Sequence, residues 1–246
     1  EGDDNTNAKR RKEKGKGKGK RGNVKEEAPE KVGEGDTWEE PRAKVGLKLI
    51  GELASSRRWK YVLEDESRRS YAGFLPRALS EKQCEGYFLD VKDGTEWHQP
   101  VGPKGIPVPR KTAWMVKRGC ECMYKYGGVE VEPQVFPPWM VKLMRATMPL
   151  CGINDMKDWP DSCNLNLYED GGMSVGWHSD DERLFQGKFF DIQIISLSFG
   201  VKRSFELRTN WPEQGEKALR RVYLGNGDLM TMEGMCQKHF QHRVPK

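Results

Sequence analysis

From residue 163 onward, apolar and polar side chains alternate. Cys163, Leu165 and Leu167 interleave with Asn164, Asn166 and Tyr168, the period-two pattern of a strand with one buried face. The Glu169-Asp170-Gly171-Gly172 turn leads into a second strand ending at His178, and strand-like runs follow at 191–199, 203–209, 220–224, 228–232 and 238–244. Upstream the period becomes helical in two places. Ser80-Glu81-Lys82-Gln83 is a capping box, followed by Cys84, Tyr87, Phe88 and Val91 at helical spacing. Pro137-Pro138 opens a second helix, which carries Trp139, Leu143 and Met144 on one stripe. Earlier still, Trp59 to Leu63 reads as a strand leading to Phe74-Leu75-Pro76. Seven short strands behind two helices predict an α+β, mostly β fold: an antiparallel sandwich or jelly roll whose mouth can enclose a ligand.

Residues 1–36 have no such periodicity, and here charge changes the picture. Ten Lys or Arg fall within residues 9–25 against the single acid Glu13, leaving 32 basic and 36 acidic side chains elsewhere, so the net charge of +5 belongs to the tail. The alternating Lys16-Gly17-Lys18-Gly19-Lys20 tract predicts a disordered basic tail, suited either to nuclear import and phosphate tethering or to solubility alone. Residues 37–70 read as an N-terminal extension. A chain of 246 residues with eight Trp, nine Phe and seven Tyr holds one domain with a real core. Six cysteines without framework spacing predict reduced thiols in an intracellular protein, nuclear or cytoplasmic, with the tail favouring the nucleus. No apolar run approaches a membrane span, and a monomer is expected.

Chemistry concentrates in Trp177-His178-Ser179-Asp180-Asp181-Glu182. His178 and Asp180 lie two apart at a strand end and share a face, so an imidazole and a carboxylate can hold one metal ion together. A second histidine would complete a two-histidine, one-carboxylate facial triad for non-haem iron, and the sequence offers His239 and His242. Read alone, His-x-Asp serves equally well as a hydrogen-bonded surface pair.

Several blocks in order add to this: Pro109-Arg110-Lys111-Thr112-Ala113-Trp114, Tyr124-Lys125-Tyr126, Asn166-Leu167-Tyr168, the His178 segment, Ser196-Leu197-Ser198-Phe199-Gly200, Arg203-Ser204-Phe205, and Met232-Glu233-Gly234 leading to Gln241-His242-Arg243-Val244-Pro245. Over residues 71–246 the chain resembles the AlkB family of Fe(II)- and 2-oxoglutarate-dependent dioxygenases, in the branch of the second and third human homologues. The resemblance implies a double-stranded β-helix with N-terminal helices packed on one sheet. It assigns the iron to His178, Asp180 and His242, leaving His239 a bystander, and 2-oxoglutarate to Asn166 and Tyr168. The implied reaction uses O2 and 2-oxoglutarate to hydroxylate an N-alkyl carbon on a base such as 1-methyladenine or 3-methylcytosine, releasing formaldehyde and succinate. Single-stranded or locally opened DNA or RNA is the implied partner.

Asp181 and Glu182 are then expected beside the damaged base, where a carboxylate favours a cationic lesion. Arg110, Trp114, Tyr124 and Tyr126, together with Arg203, are expected to bind the nucleotide, since cations interleaved with aromatics grip phosphates and stack bases. Cys120-Glu121-Cys122 lies in that segment and reads as ordinary thiols. The family continues past its second histidine into a final strand whose arginines grip the 2-oxoglutarate carboxylate, whereas this sequence stops at Lys246, so a truncated domain lacking that strand is expected. Two other readings stay open: a nucleic-acid-binding member without turnover, and a dioxygenase acting on a protein or small molecule.

Overall fold

A computed structural model describes residues 46–102, 104–215 and 219–246. The basic tail read at residues 1–36 lies outside the described residues. After a short helix α1 (Ile50–Leu53), strands β1 (Lys60–Asp65) and β2 (Ser70–Leu75) precede helix α2 (Glu81–Asp93). The capping box forms as expected: the Gln83 amide donates to Ser80 Oγ at 3.4 Å and the Ser80 amide donates to Gln83 Oε1 at 3.0 Å. Strands β3 (Lys111–Val116), β4 (Tyr124–Tyr126), β5 (Val129–Val131) and β6 (Pro133–Val135) lead to helix α3 (Pro138–Thr147). Then come β7 (Ser162–Leu167), β8 (Val175–His178), β9 (Ile192–Ser198), β10 (Arg203–Thr209), β11 (Leu219–Leu224), β12 (Asp228–Gly234), helix α4 (Cys236–His239) and β13 (Phe240–Val244).

Two four-stranded antiparallel sheets, ordered β1-β2-β12-β9 and β11-β10-β13-β8, make the sandwich. Between them Leu63, Ala72, Met230 and Met232 of the first sheet meet Phe205, Leu207, Val222, Leu224 and Phe240 of the second. Burying such side chains at about 1.5–3 kcal/mol each is the main source of cohesion. A three-stranded sheet, β6-β3-β7, packs Ala113, Met115 and Leu165 on Met140 and Met144 of α3. The two long helices meet through Tyr87 and Leu143, with Leu197 and Phe199 at the end of β9 against them, so they cover the first sheet as expected.

The seven strands expected from residue 163 onward are present, with one shift: Lys238 and His239 belong to α4, and the last strand begins at Phe240. The segment expected to bind the nucleotide forms strand β3 followed by the β4-β5 hairpin. Gly234 closes β12 at a φ of +72°, and a Cβ there would lie 2.3 Å from the Arg69 carbonyl, so only glycine fits. Among the described residues β9 pairs only with β12 and β7 only with β3, and residues of both strands line a cleft of about 1850 Å³. The metal-binding motif opens into this cleft. No described helix is long and apolar enough to cross a membrane.

Candidate active site

Strands β8 and β13 are antiparallel neighbours, and His242 is the cross-strand partner of His178. Their rings stand 4.2 Å apart at the centroids. Asp180, just past the end of β8, lies 3.5 Å from His178 Nε2 through Oδ1 and 3.4 Å from His242 Nε2 through Oδ2. The three donor atoms lie within 4.8 Å of one another. Each side chain is held from behind. The His178 Nδ1–H donates to the Gly176 carbonyl at 2.9 Å, which leaves Nε2 with its lone pair free. The His242 ring stacks on Phe205 at 5.4 Å. Asp180 is anchored by its own amide, donating to Gln237 Oε1 at 2.8 Å, and by Ser179 Oγ, donating to the Phe240 carbonyl at 2.7 Å.

The electrostatics suit a cation. Burial pushes the His242 imidazole down to about 4, partly opposed by Asp180, so it is neutral at neutral pH. Burial raises the Asp180 carboxyl, but His242, His178 and Arg110 more than offset this, and it stays ionised. Burial lowers His178, whereas Asp180 and the Gly176 carbonyl raise it further, for a net upward shift. Two imidazole nitrogens and one carboxylate oxygen on adjoining backbone form the facial donor set of non-haem Fe(II), with the cleft open on the remaining side. The other candidate, His239, sits on α4, where Asp65 at the end of β1 and Arg68 of the following turn are among its charged neighbours.

Asn166 and Tyr168 line the same cleft as the triad. Arg110, only 8% exposed, donates through Nε to Asn166 Oδ1 at 2.6 Å. Because guanidinium only donates, the carboxamide is oriented with Nδ2, its donor end, left for a ligand. Burial raises the Tyr168 phenol while Arg110 and Arg203 oppose the shift, so it is a neutral donor.

The expected nucleotide-binding residues divide. Trp114 is 1% exposed, stacked on Tyr124 at 4.8 Å, edge-on to Phe185, and bound through Nε1 to the Cys122 carbonyl at 2.7 Å. It is the core of the hairpin, and no face remains on which a base could stack. Tyr124 is equally buried, and its hydroxyl donates to Glu182 Oε1 at 2.7 Å. Arg203 corrects a second expectation: it donates to the carbonyls of Asp170, Met173 and Pro245 and lies 5.4 Å from the Tyr168 ring centroid. Those bonds pin the 170–173 turn and the Tyr168 side of the cleft. Arg110 lies 5.5 Å from the Tyr126 ring, whose hydroxyl is buried and finds no partner among the described residues. Glu182 Oε2 is likewise buried and unpartnered. Asp181 turns to Lys188 at 2.5 Å. All six cysteines are free thiols.

Sequence reasoning missed Gln237 and Phe205, which hold two of the metal-binding side chains. The polar Gln237 between the apolar Cys236 and the strand at Phe240 was the available signal. A family model described as the 2OG-Fe(II) oxygenase superfamily matches residues 71–246. Alpha-ketoglutarate-dependent dioxygenase alkB homolog 3 of Homo sapiens is 36% identical over 184 residues, which is 72% of this chain and 59% of that protein. The Mus musculus protein of the same name is 35% identical over 184 residues, with the same shares covered. DNA oxidative demethylase ALKBH2 of Homo sapiens is 28% identical over 203 residues, 76% of this chain and 70% of that protein. The chain thus spans under two thirds of the length of the alkB homolog 3 proteins it matches.

Proposed function

Since the chain belongs to the 2OG-Fe(II) oxygenase superfamily and, within it, to the AlkB family, we propose that it removes alkyl groups oxidatively from cationic bases such as 1-methyladenine and 3-methylcytosine in DNA or RNA. The observation carrying this reading is a pair of buried, unpartnered polar atoms, Tyr126 Oη and Glu182 Oε2, on residues that line the cleft with the triad. An unsatisfied buried polar group costs about 1–3 kcal/mol, so the site is built to complete its hydrogen bonds on a ligand. A carboxylate oxygen and a phenol suit a base that offers an exocyclic N–H and carries a positive charge. The similar proteins include one named a DNA oxidative demethylase.

His178, Asp180 and His242 would hold Fe(II), the first two from one strand end and the third from the neighbouring strand. When bound, iron with 2-oxoglutarate and O2 supplies an oxidation strong enough to hydroxylate an N-methyl C–H bond, which offers no acidic proton to ordinary acid-base catalysis. Asn166 Nδ2, left unoccupied by Arg110, and the Tyr168 hydroxyl would hold 2-oxoglutarate by donating to it. Arg203 keeps Tyr168 in place. Glu182, held by the Tyr124 hydroxyl, orients the base edge and compensates its charge. The Trp114-Tyr124-Phe185 cluster gives the hairpin a rigid floor, so Arg110 and Tyr126 are presented without a further ordering cost.

The test is a side-by-side assay of methylated single-stranded DNA, duplex DNA and RNA oligonucleotides with Fe(II), 2-oxoglutarate and air. Formaldehyde and the unmodified base are expected from at least one of them, with succinate in matching amount. Succinate release with formaldehyde from none of the three would overturn the substrate assignment.

A further inference from the structure

The four strands of the β11-β10-β13-β8 sheet carry Arg203, Arg208, Arg220, Arg221 and Arg243 against a single acid, Glu206, and no lysine. Strand parity sorts them. His178 and His242 face the cleft, so Trp177 and Arg243 face the other way. Phe205 and Leu207, like Val222 and Leu224, are in the core, which sends Glu206, Arg208, Arg221 and Tyr223 to the outer face. Glu206 sits at the bottom of this layer, 1% exposed, accepting from Arg243 Nε at 2.6 Å and Arg221 Nε at 2.7 Å. The cations lie above it, with the Arg221 side chain 49% and the Arg243 side chain 34% exposed. The guanidiniums of Arg208 and Arg243 stand 4.4 and 4.5 Å from the Trp177 ring centroid, and Tyr223 is 55% exposed at the sheet's edge strand.

We propose that this outer face is a second nucleic-acid contact, which grips the phosphodiester backbone of a strand running outside the catalytic cleft. It deepens the reading of the cleft as a nucleic-acid site and rests on it. Mutual support within the sheet accounts for the Arg243-Glu206-Arg221 ladder but not for Arg208, which among the described residues donates only to Gln241 and pairs with no carboxylate. Charge complementarity selects the occupant: three outward arginines over one submerged carboxylate leave a net positive layer. Arginine offers phosphate a planar fork of donors, and aromatic surfaces beside it suit sugars and bases. The face also adjoins the metal site through the backbone, since Trp177 precedes His178 and Arg243 follows His242. A strand held here spans the sheet directly behind the two metal-binding histidines.

The experiment measures fluorescence anisotropy of a labelled, unmodified single-stranded oligonucleotide with the full chain, iron-free, across a salt series. Arg208→Ala/Arg221→Ala is compared with Arg208→Lys/Arg221→Lys and with a charge-matched control on the helices, Lys82→Ala/Arg145→Ala. The alanine pair is expected to bind about tenfold more weakly at low salt, with the log-log salt slope about 1.4 shallower for two lost single-strand phosphate contacts. The lysine pair keeps the slope and loses part of the affinity, and the control behaves as the parent. Thermal melting of each variant verifies folding. Equal weakening in the helix control, an unchanged slope in the alanine pair, or equally effective competition by a polyglutamate peptide overturns the proposal. Because neither iron nor a lesion is involved, failure of demethylation leaves this result standing, and failure here leaves formaldehyde release to be judged separately.

Discussion

Asp181 and Glu182 follow the metal carboxylate at consecutive positions, yet the fold gives them different partners. Asp181 spends its charge on Lys188, whereas Glu182 keeps one oxygen buried and free beside the cleft. Glu182→Gln, which retains an acceptor for Tyr124, is therefore expected to lower turnover of cationic 1-methyladenine roughly ten- to a hundredfold relative to a neutral alkylated base. Asp181→Asn is expected to change that ratio less than about threefold. Competition kinetics on paired oligonucleotides reads both, and the reverse order would return the base-facing role to Asp181. His242 leads to a second expectation. Its folded pKa, about 4, lies below the unfolded value near 6.5, so the unfolded chain binds more protons between these pH values. The metal-free protein therefore loses stability from this group as pH falls from about 6.5 to about 4, on the order of 3 kcal/mol in all. His178 shifts upward and works in the opposite direction. Urea unfolding across that window should show a flatter pH dependence in His242→Asn than in the parent, and identical profiles would contradict the burial of a neutral imidazole.

At the scale of elements, the stretch from Cys163 to Tyr168 was legible because apolar and polar side chains alternate along it. Ser80's capping box and the prolines at 137 and 138 marked helix starts for equally local reasons. Strand β3 was not legible as a strand because nearly all of Lys111–Val116 is buried on both faces, so alternation is absent. Its interleaved aromatics then read as a ligand surface when Trp114 and Tyr124 are packing. His178 and Asp180 could be paired from spacing, which left His239 and His242 both open; the family resemblance chose His242, and in the structure it is the cross-strand partner of His178. The hairpin yields a third expectation. Trp114→Ala removes the centre of the Trp114-Tyr124-Phe185 cluster and should destabilise the protein by about 3–5 kcal/mol. It should also raise the KM for an oligonucleotide more than that for 2-oxoglutarate, since the triad stands on other strands. A larger effect on 2-oxoglutarate would mean that β3 supports the cosubstrate side instead.

Across the whole molecule, one division of labour recurs. Both sandwich sheets supply the buried apolar core, and the β11-β10-β13-β8 sheet in addition carries two of the three metal-binding side chains on one face and arginines on the other. The cation site thus rests on neighbouring strands whose register is set by the same core, a rigid base for the oxidation proposed above. Removing any of the three donors should abolish tight metal binding, whereas removing His239 should not. The most direct test is to measure formaldehyde and succinate together, from one methylated oligonucleotide, for the parent, His242→Ala and His239→Ala. The account predicts matched release from the parent and from His239→Ala, and neither product above background from His242→Ala. Activity surviving in His242→Ala and lost in His239→Ala would contradict it.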